Sequence, residues 1–100
     1  MLSISSTVNE DVSELKLVGR LDVKAAREAE GAFADAAESA TNVVLELSEL
    51  DYIASAGLRA LKRLRGDVRK NGGRLVLRNV QDDVMEVFEM TGFAAMLEFE

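Results

Sequence analysis

The chain has 100 residues, 48% hydrophobic and 30% charged, with 12 Lys and Arg against 18 Asp and Glu: the make-up of one soluble domain, too short for two. It contains no cysteine and no histidine, which excludes disulfides, thiolate metal sites, thiol redox chemistry and every mechanism that needs an imidazole base. A formal charge of -6 argues against phosphate-backbone binding as the main activity, and neither a signal peptide nor a membrane-length apolar run is visible, so the expected compartment is the cytoplasm.

Leu2, Ile4 and Val8, then Val12, Leu15 and Leu17, predict two short strands that turn near Asn9-Glu10-Asp11 as a hairpin. From Val23 to Ala40 the spacing changes to that of an alanine-rich helix with Val23, Ala26, Ala29, Phe33, Ala36 and Ala40 on its inner face, capped by Asp22. Val43 to Leu47 is nearly continuous in its apolarity, as expected of a central strand covered on both faces. Ala54-Ser55-Ala56-Gly57 then opens a second helix with Leu58, Leu61, Leu64 or Arg65, and Val68 inward, closed by Asn71-Gly72-Gly73. A strand from Arg74 to Arg78, a helix from Gln81 to Met90 that stops near Gly92, and a strand from Met96 to Phe99 follow. The expected class is α/β in the order β-β-α-β-α-β-α-β, one domain over residues 1–100, with a mixed, mostly parallel sheet and about three helices. Residues 1–50 carry 4 basic and 10 acidic groups and residues 51–100 carry 8 of each, a segregation that suits a polar docking surface better than a catalytic pocket.

Ser55 is the leading candidate for chemistry, because it stands at a strand-to-helix junction beside the amides of Ala56, Gly57 and Leu58, which a helix leaves unpaired. It can be a helix cap or a phosphorylation site, where a phosphate would face the positive end of the helix with Arg59, Lys62 and Arg63 one to two turns away. A nucleophile elbow is disfavoured: Ile53-Ala54-Ser55-Ala56-Gly57 has only one of the two glycines, and no histidine is present to activate the serine. The acidic cluster Asp82, Asp83, Glu86 and Glu89 reads as a solvated helix face, not a cation site. Arg59, Lys62, Arg63, Arg65, Arg69 and Lys70 form a basic face that is either plain solvated surface or a contact for an acidic partner. Gly72-Gly73 leads from helix to strand and so is not a phosphate-binding loop.

Taken in order, these segments resemble the STAS domains, named for sulphate transporters and anti-sigma factor antagonists, and in particular the stand-alone antagonists. Gly19-Arg20-Leu21-Asp22 is similar to the family's segment before its first helix, and Val43 to Ser48 to its central strand. Tyr52-Ile53-Ala54-Ser55-Ala56-Gly57-Leu58 is similar to its aromatic-apolar-Asp-Ser-Ser/Ala-Gly-Leu signature. Asn71-Gly72-Gly73-Arg74-Leu75 and Phe88-Glu89-Met90-Thr91-Gly92-Phe93 resemble its glycine turn and its Phe-x-x-Thr/Ser-Gly segment.

The resemblance implies a non-enzymatic regulatory module without cofactor or metal. Its partner would be an anti-sigma factor with serine kinase activity, its modified residue Ser55, and its restoring enzyme a PP2C-type phosphatase. Asp22, Ala54, Ser55, Ala56, Gly57, Leu58, Arg59 and Lys62 would form the docking surface, with no direct nucleic-acid contact and no membrane insertion. Two residues depart from the family pattern: Ala54 stands where an acidic residue precedes the serine, and Glu46 where the central strand carries aspartate. The first bears on kinase recognition and site geometry. The family's terminal helix is not expected, because the chain stops soon after the last strand. The alternative implied role is an unphosphorylated STAS scaffold or a partner subunit of a lipid-transport ATPase.

Overall fold

The computed structural model describes all of residues 1–100. Strands β1 (Leu2–Asn9) and β2 (Val12–Leu21) form the expected hairpin, paired antiparallel from Leu2 opposite Gly19 to Asn9 opposite Val12. The other elements are α1 (Val23–Ser39), β3 (Asn42–Ile53), α2 (Ser55–Lys70), β4 (Leu75–Arg78), α3 (Asp82–Thr91), the one-turn α4 (Phe93–Met96) and β5 (Glu98–Phe99). The sheet runs β1-β2-β3-β4-β5, and every pair after the hairpin is parallel. Because sheet order follows chain order, right-handed crossovers all step the same way and place the helices on one face. The ring of Phe88, buried on α3, sits 5.9 Å from that of Phe99, whose register partner Leu77 is itself buried, so α3 shares that face with α1 and α2.

This arrangement corrects the expectation that the middle strand is covered on both sides. Strand β3 is central, but Val43, Leu45 and Leu47 are buried under the helices while Val44 and Glu46 between them are only half-buried. The open face is occupied by cross-strand charges: Lys16, Glu46 and Arg78 stand side by side on β2, β3 and β4. Lys16 reaches Glu49 at 2.6 Å, and Arg78 contacts Glu14 at 3.2 Å and Glu100 at 2.9 Å. Alternation of opposite charges across neighbouring strands lets a sheet face remain in water.

Strand β3 is also longer than its apolar run suggested. Its buried residues alternate up to Leu47 and then recur at a spacing of three, at Leu50 and Ile53, because the register to β2 shifts twice, between Lys16 and Val18 and between Gly19 and Arg20. Each shift leaves an extra β3 residue opposite the shorter β2, which breaks the two-residue period while keeping the apolar side chains inward. Strand β2 likewise extends past Leu17 to Leu21.

The core is a single cluster of 24 buried residues that takes in leucines from β2, β3, β4 and α2 and the alanine stripe of α1. A fully buried leucine such as Leu45 or Leu61 contributes about 1.5–3 kcal/mol. On α1 the buried stripe is Ala25, Ala26, Ala29, Phe33, Ala36 and Ala37; Val23, the first helical residue, is instead 58% exposed, and Ala40 follows the helix end. On α2 the inward residue is Leu64, with Arg65 half-buried beside it. Gly72 adopts φ 80°, the left-handed closure expected after α2. Gly92 does the same at φ 82° and turns the chain into α4, so Met96 is helical and β5 is only two residues long.

Candidate functional site

Helices α1 and α2 start side by side at the carboxyl ends of β2 and β3. The Ala54 amide donates to the Leu21 carbonyl at 2.9 Å and ties the two strand-to-helix junctions together. Asp22 caps α1 as expected, its Oδ1 accepting from the Ala25 amide at 2.9 Å. Helix α2 is built differently. Its N-cap is Ala54, which has no side chain able to cap, and Ser55 is already the first helical residue. A cap stands one position before the helix, so Ser55 does not cap α2. Its side chain is exposed, and its hydroxyl makes no hydrogen bond within the protein. The Leu58 amide is not free either, since it donates to the Ala54 carbonyl at 3.1 Å as the first rung of the helix; the amides of Ala56 and Gly57 remain open.

The residues expected around Ser55 separate into two layers. Gly57 and Leu58 are buried. A Cβ on Gly57 would lie 2.8 Å from Ile53 Cγ1 and 2.9 Å from Leu21 Cγ, so glycine is what allows the first turn of α2 to settle onto the ends of β2 and β3. Ala54, Ala56 and Asp22 are half-exposed, and Ser55, Arg59 and Lys62 face water. The buried pair thus supports the loop from below, while the exposed residues present its surface.

A cleft of about 330 Å³ opens between α1 and α2 next to this loop, lined by Val23, Ala26, Arg27, Glu30, Ala56, Arg59, Ala60 and Arg63. Arg27 and Glu30 of α1 and Arg59 and Arg63 of α2 line it around apolar residues, three cations to one anion, which makes the rim electropositive. Lys62 lies outside this lining. Val23, Arg27 and Glu30 of α1 were not among the site residues expected from sequence, because their meeting with Arg59 and Arg63 depends on how α1 packs on α2. A second unforeseen feature is the Arg20 guanidinium, 4.2 Å from the ring centre of Tyr52, which is 40% exposed. Such a cation–π contact contributes about 0.5–1 kcal/mol at an exposed site and fixes an aromatic ring beside the Ser55 loop. The signal for it lay in the spacing: Arg20 and Tyr52 each stand two residues before a helix N-cap, on parallel neighbouring strands, and are register partners.

Chemically, the site offers a free serine hydroxyl, two open helix amides and a cationic rim, with no base hydrogen-bonded to the hydroxyl to activate it. It can accept a group from another protein and can dock. Glu46, the other residue that departs from the family pattern, lies in the open-face network. Partial burial would raise its carboxyl, but hydrogen bonds from Ser48 and Asn79 and the charge of Arg78 outweigh this and hold it below its ordinary value. On the same face, the Glu49 carboxylate bonded to Lys16 raises the lysine above its ordinary value. Asp82 and Asp83 occupy the first turn of α3, where acidic groups favour the helix dipole. No helix of the protein is long and apolar enough to cross a membrane.

Comparison with known proteins agrees with this geometry. BtrV of Bordetella bronchiseptica, named among the anti-sigma factor antagonists, is 46% identical over 54 residues, which span 54% of this chain and about half (47%) of BtrV. The anti-sigma-B factor antagonist of Bacillus subtilis is 24% identical over 97 residues, 97% of this chain and 89% of its own. Among solved structures, the unphosphorylated form of the anti-sigma factor antagonist SpoIIAA superposes with a TM-score of 0.76 at 17% identity, covering 100% of this chain and 87% of that one. The phosphorylated form of SpoIIAA from Bacillus gives 0.75 at 18% identity, with coverage of 100% and 91%. A STAS domain protein from Planctomyces limnophilus gives 0.87 at 19% identity, with coverage of 100% and 90%. These likenesses establish the fold, and the family model of the STAS domain matches residues 3–100. With that match over nearly its whole length, the chain belongs to the STAS domain family.

Proposed function

We propose that this protein is an anti-sigma factor antagonist, a regulatory binding protein and not an enzyme. Unmodified, it binds an anti-sigma factor through the Ser55 loop and the start of α2 and so releases the sigma factor; the anti-sigma factor acts as a serine kinase and ends the interaction by phosphorylating Ser55. In that step Ser55 Oγ attacks the γ-phosphorus of ATP, the bond to ADP breaks, and the hydroxyl proton passes to a base on the kinase. A PP2C-type phosphatase hydrolyses the ester and restores binding. Both partners would place the protein in the cytoplasm. The observation that carries the reading is the state of Ser55: exposed, without a hydrogen bond, and at the start of a helix whose N-cap has no capping side chain. The names of the two relatives support the same role.

Burying a phosphate dianion against a partner surface without matched cations costs several kcal/mol, and about 1.4 kcal/mol is a factor of ten. The test is calorimetry against the anti-sigma factor co-purified from the native cell, comparing unmodified protein, phosphorylated protein, Ser55→Ala and Ser55→Asp. Phosphorylation should weaken binding about a hundredfold or more. Affinity unchanged within a factor of two would overturn the mechanism. One residue favours a second reading: with Ala54 before the serine, the chain could be a constant binder, a STAS scaffold or a partner subunit of a lipid-transport ATPase. Absence of Ser55 modification by the partner, restored by Ala54→Asp, would select that reading.

A further inference from the structure

Helix α2 carries six basic residues and one acidic, a formal +5 inside a chain of -6, which leaves -11 on the other 84 residues. None of its six cations takes part in an ion pair; of the six outside the helix, Lys16, Arg74 and Arg78 are paired and Arg20, Lys24 and Arg27 are not. The helix dipole accounts for basic residues in the last turn, here Arg69 and Lys70, but its effect does not extend to Lys62 or Arg63.

At the centre of this ridge is Gly66. Residues three and four positions away on a helix are its surface neighbours, and for Gly66 those four are Lys62, Arg63, Arg69 and Lys70, all exposed. Asp67, the helix's one acid, is next along the chain. A Cβ built on Gly66 would meet nothing within 4 Å, so no packing inside the protein requires glycine there. Glycine at an exposed interior helix position is less favourable than alanine, and its usual benefit is close approach to the backbone. Gly31 on α1 has the same open space, but its neighbours Arg27, Glu28, Ala34 and Asp35 carry one basic and two acidic groups, a net -1. Open backbone and concentrated charge coincide only at Gly66.

We propose that the outer face of α2 around Gly66 is a second docking surface, separate from the Ser55 loop, which takes an acidic helix of a protein partner packed close against the glycine. The shape of the molecule favours a helix over an anionic membrane. The domain measures 32 × 27 × 20 Å, and α1, beside the ridge, exposes Glu28, Glu30, Asp35 and Glu38. A bilayer surface would meet those carboxylates together with the ridge, whereas a helix, about 10 Å across, covers the ridge alone.

The probe is an Ala/Glu helical peptide of about 18 residues, titrated into the full chain by amide NMR and calorimetry. Shifts should concentrate at residues 62–70, and the pair Lys62→Glu with Arg69→Glu should weaken binding at least tenfold. The deciding variant is Gly66→Gln, which leaves the charge unchanged and suits a helix: binding should fall at least fivefold with no loss of melting temperature. Peptide binding by Gly66→Gln equal to wild type would mean diffuse attraction and overturn the proposal. Tighter binding to a single-stranded DNA oligonucleotide or to phosphatidylglycerol vesicles would overturn the assignment of a protein partner. Ser55→Asp should leave peptide affinity within a factor of two; its loss would merge this surface with the Ser55 site and overturn their independence.

Discussion

Ser55 and Ala54 are adjacent in sequence, but they hold the site in opposite ways: one offers a free hydroxyl, and the other leaves the helix start uncapped. An aspartate at an N-cap accepts from a first-turn amide and contributes about 1 kcal/mol, as Asp22 does in geometry on α1. Ala54→Asp should therefore raise the stability of the domain by about 1 kcal/mol, equivalent to roughly 4–8 °C in melting temperature for a chain of this size. A thermal melt of the variant checks this, and an unchanged or lower midpoint would mean that the first turn is already satisfied. The cap at Asp22 and the place of Ser55 at a strand-to-helix junction were legible in sequence because both depend on chemistry within one turn. The exclusion of Ser55 from capping was not, since it depends on which residue takes the first helical dihedrals. The Arg20–Tyr52 contact and the meeting of Arg27 with Arg59 and Arg63 were hidden for another reason: they require strand register and helix packing.

Helices and strands were read where a single period runs unbroken, as on α2, and misread where it does not. The three-residue spacing of Leu47, Leu50 and Ile53 hid the second half of β3 because bulges shift the register, and Val44 of the open sheet face was expected to be covered because the run from Val43 to Leu47 is nearly continuous in its apolarity. The packing of α2 on these strands gives one prediction. Gly57→Val would force atoms into Ile53 and Leu21 and should cost about 1–3 kcal/mol by overpacking, seen as a lower urea midpoint; an unchanged midpoint would place the first turn of α2 farther from the sheet. The open face gives a second. The Glu46 carboxyl is held below its ordinary value of 4.5 in the folded state, so the unfolded chain takes up that proton first as pH falls. Its stabilisation is fully present above that ordinary value and is lost as pH falls through the lower folded-state value. Glu46→Gln should thus be less stable than wild type near neutral pH and converge with it in acid, as measured by urea unfolding across a pH series. Parallel curves at all pH values would show that the charge of Glu46 contributes nothing.

At the scale of the molecule, the segregation of charge visible between the two halves of the sequence proves more local in the fold, since one helix, α2, bears the positive charge and the remainder of the domain is acidic. Phosphorylation of Ser55 would add about -1.5 to -2 charges at the amino end of that helix. There it meets the open amides of Ala56 and Gly57, and Arg59 is one turn on, on the rim of the interhelical cleft. A phosphate at an exposed helix amino terminus is favoured by about 0.3–1 kcal/mol, and no buried group has to move to admit it, because the Ser55 side chain already faces water. The modified domain should therefore keep its helix content and melt at the same temperature or slightly higher, even as it loses its partner. Circular dichroism and thermal melts of the phosphorylated and unmodified chains read this directly. Loss of helical signal or a lowered midpoint would show that the switch works by unfolding the first turn of α2, whereas an intact fold with lost affinity places the effect at the interface, in the charge that the partner would have to bury.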